Sequence, residues 1–297
     1  MDIRLTGAAA ALCMFAAGPA AADALEGKAS PSDVLAASAP SDWRTLNPEN
    51  TLYIDLERGR VIVMLSSALA QDHVEQVKTL AREGFYDGLS FYRVIDGFVA
   101  QGGDPFSEKD VGLARETMAA EFEEPLTDEM AVAMQDDADG YAPSVGWVGS
   151  LPVGVDHEES SAWHLHCTGA FAFGRNNEKD SASTEFYITL QPQRYLDRNL
   201  TVAGRVVQGM EHLQALRRVS PPETKDDDLG ETIISMRIAA DLPEDERAPL
   251  EILRTDTDTF DAYVEARRNR PEVFFYFRPD HVNICDVNVP VRPVSAE

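Results

Sequence analysis

Apolar residues recur along the chain with two different periods. TLYIDL (51–56) and VIVMLS (61–66) are short β-rich runs separated by Glu57-Arg58-Gly59-Arg60, a hairpin pattern. From 68 to 84 the period lengthens: Val74, Val77 and Ala81 fall on one helical face, with Gly84 placed as a C-cap. LSFYRVI (89–95) and FVAQ (98–101) flank Asp96-Gly97, a tight-turn dipeptide. Further strands are predicted at 170–174, 185–190, 202–207 and 232–238. A short helix is predicted near 209–218, where Met210, Leu213 and Leu216 share a face, and another over 256–268. Short strands joined by turns, with few helices, point to a closed barrel or a sandwich.

Two stretches exceed a minimal version of that plan. Residues 106–165 are long and acidic and read as a functional or mobile loop. Their cluster Asp136, Asp137 and Asp139 lacks the spacing and closing Glu of a calcium loop, so a solvated surface is the expected reading. The tail after Asp241 carries FFYF (274–277), read as packing for the tail, and the β-rich VNICDVNVPV (282–291).

The first residues change the picture of where the chain works. Arg4, the apolar LTGAAAALCMFAAGPA and small residues at Ala20 to Ala22 form a secretory signal pattern. The expected organisation is a signal peptide (1–22), a flexible leader (23–44), a main domain (45–240) with its insertion at 106–165, and a C-terminal extension (241–297) packed on the outside. The expected location is a Gram-negative periplasm. No apolar run after the N-terminus is long enough to cross a membrane. With 44% hydrophobic, 26% charged and 8% aromatic residues the composition is that of a globular protein. The net charge of −25 argues against nucleic acid and anionic lipid as partners.

The chemistry concentrates in FYRVIDGFVAQGGDP (91–105), where a β-run holds Arg93 in its interior. Strict alternation puts Phe91, Arg93 and Ile95 on one face, unless the pattern bends there. The bland reading is an arginine snorkelling from a sheet edge. This segment resembles the cyclophilin signature. RNNEKDSASTEFYITL (175–190) and LDRNLTVAGRVVQGME (196–211) are similar to two further cyclophilin segments, in the right order. The resemblance implies a mainly all-β fold: a closed eight-stranded antiparallel barrel capped by two helices. It also implies a peptidyl-prolyl cis/trans isomerase without a cofactor.

Residue by residue, the resemblance places Arg93 on the catalytic arginine. Phe98, Val99, Tyr187 and Leu196 fall on an apolar proline pocket, with Tyr195 at its rim in place of the usual Trp. Gln101 falls on the polar residue that orients Arg93. Phe173 and Gly174 fall on an edge strand whose backbone binds peptide. Glu185 stands where Gln is usual, and Tyr92 where His is common. A Glu185 carboxylate paired with Arg93 would dampen catalysis, which leaves a proline-segment-binding chaperone or assembly factor as the alternative. The implied partners are proline-containing polypeptides of the periplasm and, more weakly held, a cyclosporin-like ligand. No G-x-S-x-G or HExxH motif supports a hydrolase.

His164 and His166 alternate beside Cys167 in WHLHC, a set short of the four ligands of a closed metal site, so a strand and no metal is expected. Export would remove Cys13 and leave Cys167 and Cys285 in an oxidising compartment. A disulfide joining the tail to the main domain is expected, against the alternative of two buried thiols.

Overall fold

The computed structural model describes residues 28–294, so the signal pattern, Cys13 and the first residues of the leader lie outside the described residues. The strands in chain order are β1 (Trp43–Thr45), β2 (Thr51–Leu56), β3 (Gly59–Leu65), β4 (Ser90–Val94), β5 (Val99–Gly103), β6 (Glu124–Pro125), β7 (Ala133–Gln135), β8 (Ser144–Val148) and β9 (Leu151–Asp156). They continue with β10 (Ser161–His164), β11 (Ala170–Phe173), β12 (Phe186–Thr189), β13 (Val202–Gln208), β14 (Glu231–Thr232), β15 (Ser235–Ile238), β16 (Leu250–Leu253) and β17 (Val291–Pro293).

Nine of these form one antiparallel sheet in the order β14-β4-β5-β12-β11-β13-β3-β2-β15. The sheet curls but does not close, and its edges stay 9 Å apart. This corrects the expected closed eight-stranded barrel. The physical reason lies in the last two strands. β14 and β15 are one stretch of chain that passes from one edge to the other, with Ile233 N–H donating to Leu89 O and Ile234 N–H to Asp55 O. Consecutive residues of one strand cannot ladder with each other, so the chain bridges the gap without a closing row of hydrogen bonds. The all-β reading is corrected as well, because the fold is mixed α/β. Helix Gln71–Arg82 buries Val74, Val77, Leu80 and Ala81 inside the curl as part of the core, and a second long helix, Asp258–Arg268, packs outside.

The inner core joins Leu52, Ile54, Val63, Val94, Ile188 and Ile238 to a knot of rings. Phe186 stands edge-on to Tyr86 and Phe91 and stacks on Phe171, with centroids 5.2–5.6 Å apart. Such pairs contribute about 0.5–1.5 kcal/mol each beyond area burial.

The outer face of β2 and β3 is covered too. Tyr53, Ile62 and Met64 join Trp43, Trp147, Phe260 and Ile284 in a second core. That double burial explains why VIVML reads as continuously apolar. Residues 106–165, read as loop, carry the five-stranded sheet β6-β10-β9-β8-β7. Their acidic cluster is structural: Asp137 accepts from Arg268 (2.7 Å) and Asp139 from Arg194 (2.9 Å). The supposed flexible leader holds helix Pro31–Ala36, closed by a Ser30 capping box, and β1. β1, β16 and β17 form a third sheet. Cys167 and Cys285 are joined in a disulfide, Cα atoms 4.9 Å apart and 118 positions apart in sequence.

Candidate active site

The site begins with a fault in a ladder. Between β4 and β5 the register shifts, with Ser90 opposite Gly103 but Arg93 opposite Gln101. Phe91 and Tyr92 therefore face the single residue Gly102, the two-against-one count of a β-bulge. The bulge breaks the alternation. Phe91 and Val94 both enter the inner core, and the consecutive Tyr92 and Arg93 take part in one polar cluster outside it.

Arg93 donates from Nη1 to Gln101 Oε1 at 3.1 Å, and its guanidinium carbon lies 5.3 Å from the Phe98 ring centroid. Among the described residues it makes no ion pair. Gln101 Nε2 donates to the Tyr92 hydroxyl at 2.5 Å, and that hydroxyl donates to Glu185 Oε2. The anticipated Arg93–Glu185 pair is thus absent, and Tyr92 and Gln101 stand between the two. Burial raises the Glu185 carboxyl to about 7, opposed chiefly by the hydrogen bond from Tyr92 and helped by the nearby Asp104 charge. Burial, with the Glu185 charge, also pushes the Tyr92 hydroxyl well up.

The residues assigned to the proline pocket come together. Val99 and Tyr187 are buried with Ala170, Ala172 and Val202, and Phe98, Leu196 and Leu200 pack against them as a cluster separate from both cores. Tyr195 stands exposed on the short 3₁₀ turn Arg194–Leu196, beside that cluster. Behind the pocket, His166 Nε2 and the Tyr187 hydroxyl lie 2.8 Å apart, and His166 Nδ1 lies 3.0 Å from Asp197. Both ring nitrogens of His166 are therefore engaged, and the Cys167 sulfur is in the disulfide, so neither is free for a metal.

The edge-strand part of one assignment is corrected. β11 is not an edge strand, because β12 and β13 flank it. Phe173 points its ring into the inner core and its N–H to Thr201 O, while the Gly174 N–H donates to Glu185 O. Neither N–H is available to a bound peptide. Sequence reasoning also passed over Tyr92 and His166 as contributors. Tyr92 was visible only as a departure from the usual residue, and His166 only as a weak ligand candidate.

Next to Gln101, Tyr92 and Glu185 opens a cleft of about 660 Å³, also lined by Lys109, Asp110 and Arg175. The curled antiparallel sheet thus sets an arginine without an ion pair among the described residues over the Phe98 ring, beside an apolar cluster. Comparison with known proteins agrees. The family profile described as "Cyclophilin type peptidyl-prolyl cis-trans isomerase/CLD" matches residues 51–238. A "Probable peptidyl-prolyl cis-trans isomerase" of Brucella suis is 31% identical over 196 residues, covering 66% of this chain and 85% of the relative. Human "Peptidyl-prolyl cis-trans isomerase-like 1" is 26% identical over 195 residues, covering 65% and 91%. The crystal structure of cyclophilin AquaCyp293 from Hirschia baltica superposes with a TM-score of 0.70 at 24% identity, covering 91% of this chain and all of that one, a likeness of fold. The chain belongs to the cyclophilin-type peptidyl-prolyl cis-trans isomerase family of enzymes.

Proposed function

We propose that Arg93 is the catalytic residue for rotation of Xaa-Pro bonds in exported polypeptides, with the proline ring held by Phe98, Val99, Tyr187 and Leu196. The observation that carries this reading is an arginine with no carboxylate partner among the described residues, set beside an apolar cluster. Amide resonance holds an X-Pro bond behind a barrier of about 18–20 kcal/mol. In the twisted state the nitrogen becomes pyramidal and regains its lone pair. A guanidinium donating to that nitrogen binds the twisted amide better than the planar one, which lowers the barrier without a nucleophile or metal. The pocket holds the ring while the acyl side turns. Tyr195 and Leu196 would rim it, and Gln101 would keep the guanidinium aimed. Export to the periplasm is part of the same reading and rests on the N-terminal signal pattern alone.

The test uses mature chain recovered from a periplasmic fraction, whose N-terminal residue should lie near Asp23. Arg93→Ala should lower turnover of a short Xaa-Pro peptide by at least about tenfold with unfolding still cooperative. Phe98→Ala should mainly raise KM. Wild-type turnover in Arg93→Ala would sink the mechanism. Peptide binding without turnover in the unmodified protein would transfer the site to proline-segment capture.

A further inference from the structure

The polar side chains at the site form one directed chain. Arg93 donates to Gln101, Gln101 donates to Tyr92, and Tyr92 donates to Glu185. Every donor points towards the carboxylate. This polarity settles which end of the Gln101 amide meets Arg93. With the Tyr92 hydrogen committed to Glu185, the phenol oxygen is left as an acceptor and takes the Gln101 NH₂ group. The amide oxygen is then the group presented to the guanidinium. Were the amide reversed, its N–H groups would face those of Arg93, donor against donor.

The carboxylate is held in a tight cradle. A Cβ at Gly103, whose φ is +141°, would collide with the Glu185 carboxylate, and one at Gly174 would lie 3.3 Å from Glu185 Cβ. Oε1 is buried with no hydrogen-bond partner. The titratable and charged groups around it come from several elements: Tyr92 and Arg93 on β4, Asp104 after β5, the buried Tyr86, and Lys109, Asp110, Glu116 and Arg175, which line the same cleft.

We propose that Glu185 is a positioning residue for Arg93, acting through Tyr92 and Gln101, and that binding a proton at Glu185 slows isomerisation. A neutral carboxyl can donate as well as accept. Its proton can turn to the Tyr92 oxygen, freeing the Tyr92 hydrogen for the Gln101 amide oxygen and leaving the amide able to reverse. Arg93 then loses its fixed acceptor. The carboxyl, raised to about 7 by burial, changes state near neutrality.

This inference rests on the role proposed for Arg93, and the experiment separates the two. The probe is turnover of a short Xaa-Pro peptide from pH 5.5 to 8.5, with folding checked at each pH. In the unmodified chain kcat should fall at least about threefold as pH drops through 7, with KM little changed. Glu185→Gln, a neutral acceptor of the same shape, should give a flat profile. Tyr92→Phe should also be flat, and lower throughout, because it cuts the chain in the middle. A flat profile for the unmodified chain, or an inflection that survives Glu185→Gln and so belongs to another group, overturns the positioning role. If either is found while Arg93→Ala still lowers turnover at least about tenfold, the catalytic reading stands without it. If Arg93→Ala retains turnover, both fall.

Discussion

Two chains of polar side chains border the apolar cluster proposed as the proline pocket, and they are built differently. On one side Asp139, Arg194, Asp197, His166 and Tyr187 are linked in sequence, with Arg194 meeting Asp139 at 2.9 Å and Asp197 at 2.5 Å. Burial alone would raise the Asp139 carboxyl, but its hydrogen bonds, above all those from Arg194, hold it below the usual range. The side chains of Arg194, Asp139 and Asp197 are all at least nine-tenths buried, and each charge faces an opposite one. On the other side Arg93 faces only the neutral Gln101, and Glu185 keeps one oxygen without a partner. The first arrangement is compensated and rigid. The second holds a carboxylate at an electrostatic cost and keeps an arginine free of any ion pair among the described residues, which suits the role proposed for Arg93.

The comparison is open to direct attack. The largest effect is expected at Arg194. Arg194→Ala leaves Asp139 and Asp197 buried without their partner and should lower unfolding free energy by about 3–5 kcal/mol, read from urea denaturation. A loss no larger than that of an exposed arginine would show that the compensated side is not what holds the pocket's back wall. Next comes the disulfide, whose Cys167 directly follows His166. Cys285→Ser should cost about 2–4 kcal/mol, and reductant should bring the unmodified chain to the same value. No change with reductant would assign the anchoring of the tail to packing in the second core alone.

The smallest effect is expected on the uncompensated side, and its sign depends on pH. The folded chain holds the Glu185 proton up to about 7, against an ordinary value of 4.5. Between those pH values the folded state binds more protons than the unfolded one. The stabilisation is therefore complete below about 4.5 and lost as pH rises through 7. Glu185→Gln should thus be more stable than the unmodified chain at pH 8, by about 1–3 kcal/mol, with the gap closing towards pH 4.5. A gap that does not change with pH would remove Glu185 as the titrating group. His164 has the opposite sign. Its ring is buried without partners and burial lowers it to about 4, so its contribution is present above 6.5 and lost towards 4.

Local patterns announced a large part of this architecture. The hairpin of β2 and β3, the helix Gln71–Arg82 and the turn at Asp96-Gly97 each depend on neighbours within a few residues, so spacing and turn chemistry suffice to place them. Residues 124–164 were illegible for the reason that makes them a sheet. Their strands are short, Gly-interrupted and acidic at the turns. They gain stability by packing on residues distant in sequence, Trp147 against Phe260 of the tail and Val153 and Val155 in a cluster with Leu69. FFYF misled in the other direction. Phe274, Tyr276 and Phe277 are 80–89% exposed and do not pack the tail.

By itself the sequence determined the order of the main strands and the composition of the motif around Arg93, because each follows from adjacency or residue type. It raised the Cys167–Cys285 disulfide as an expectation that the structure bears out. Only the tertiary structure decided that the sheet stays open, that Tyr92 and Arg93 share a side, and that Glu185 bonds to Tyr92 rather than to Arg93. A one-residue bulge reverses the parity of every side chain after it, and nothing local marks where it falls. The partner of a buried carboxylate is whichever donor the fold carries to it, here one 93 positions away.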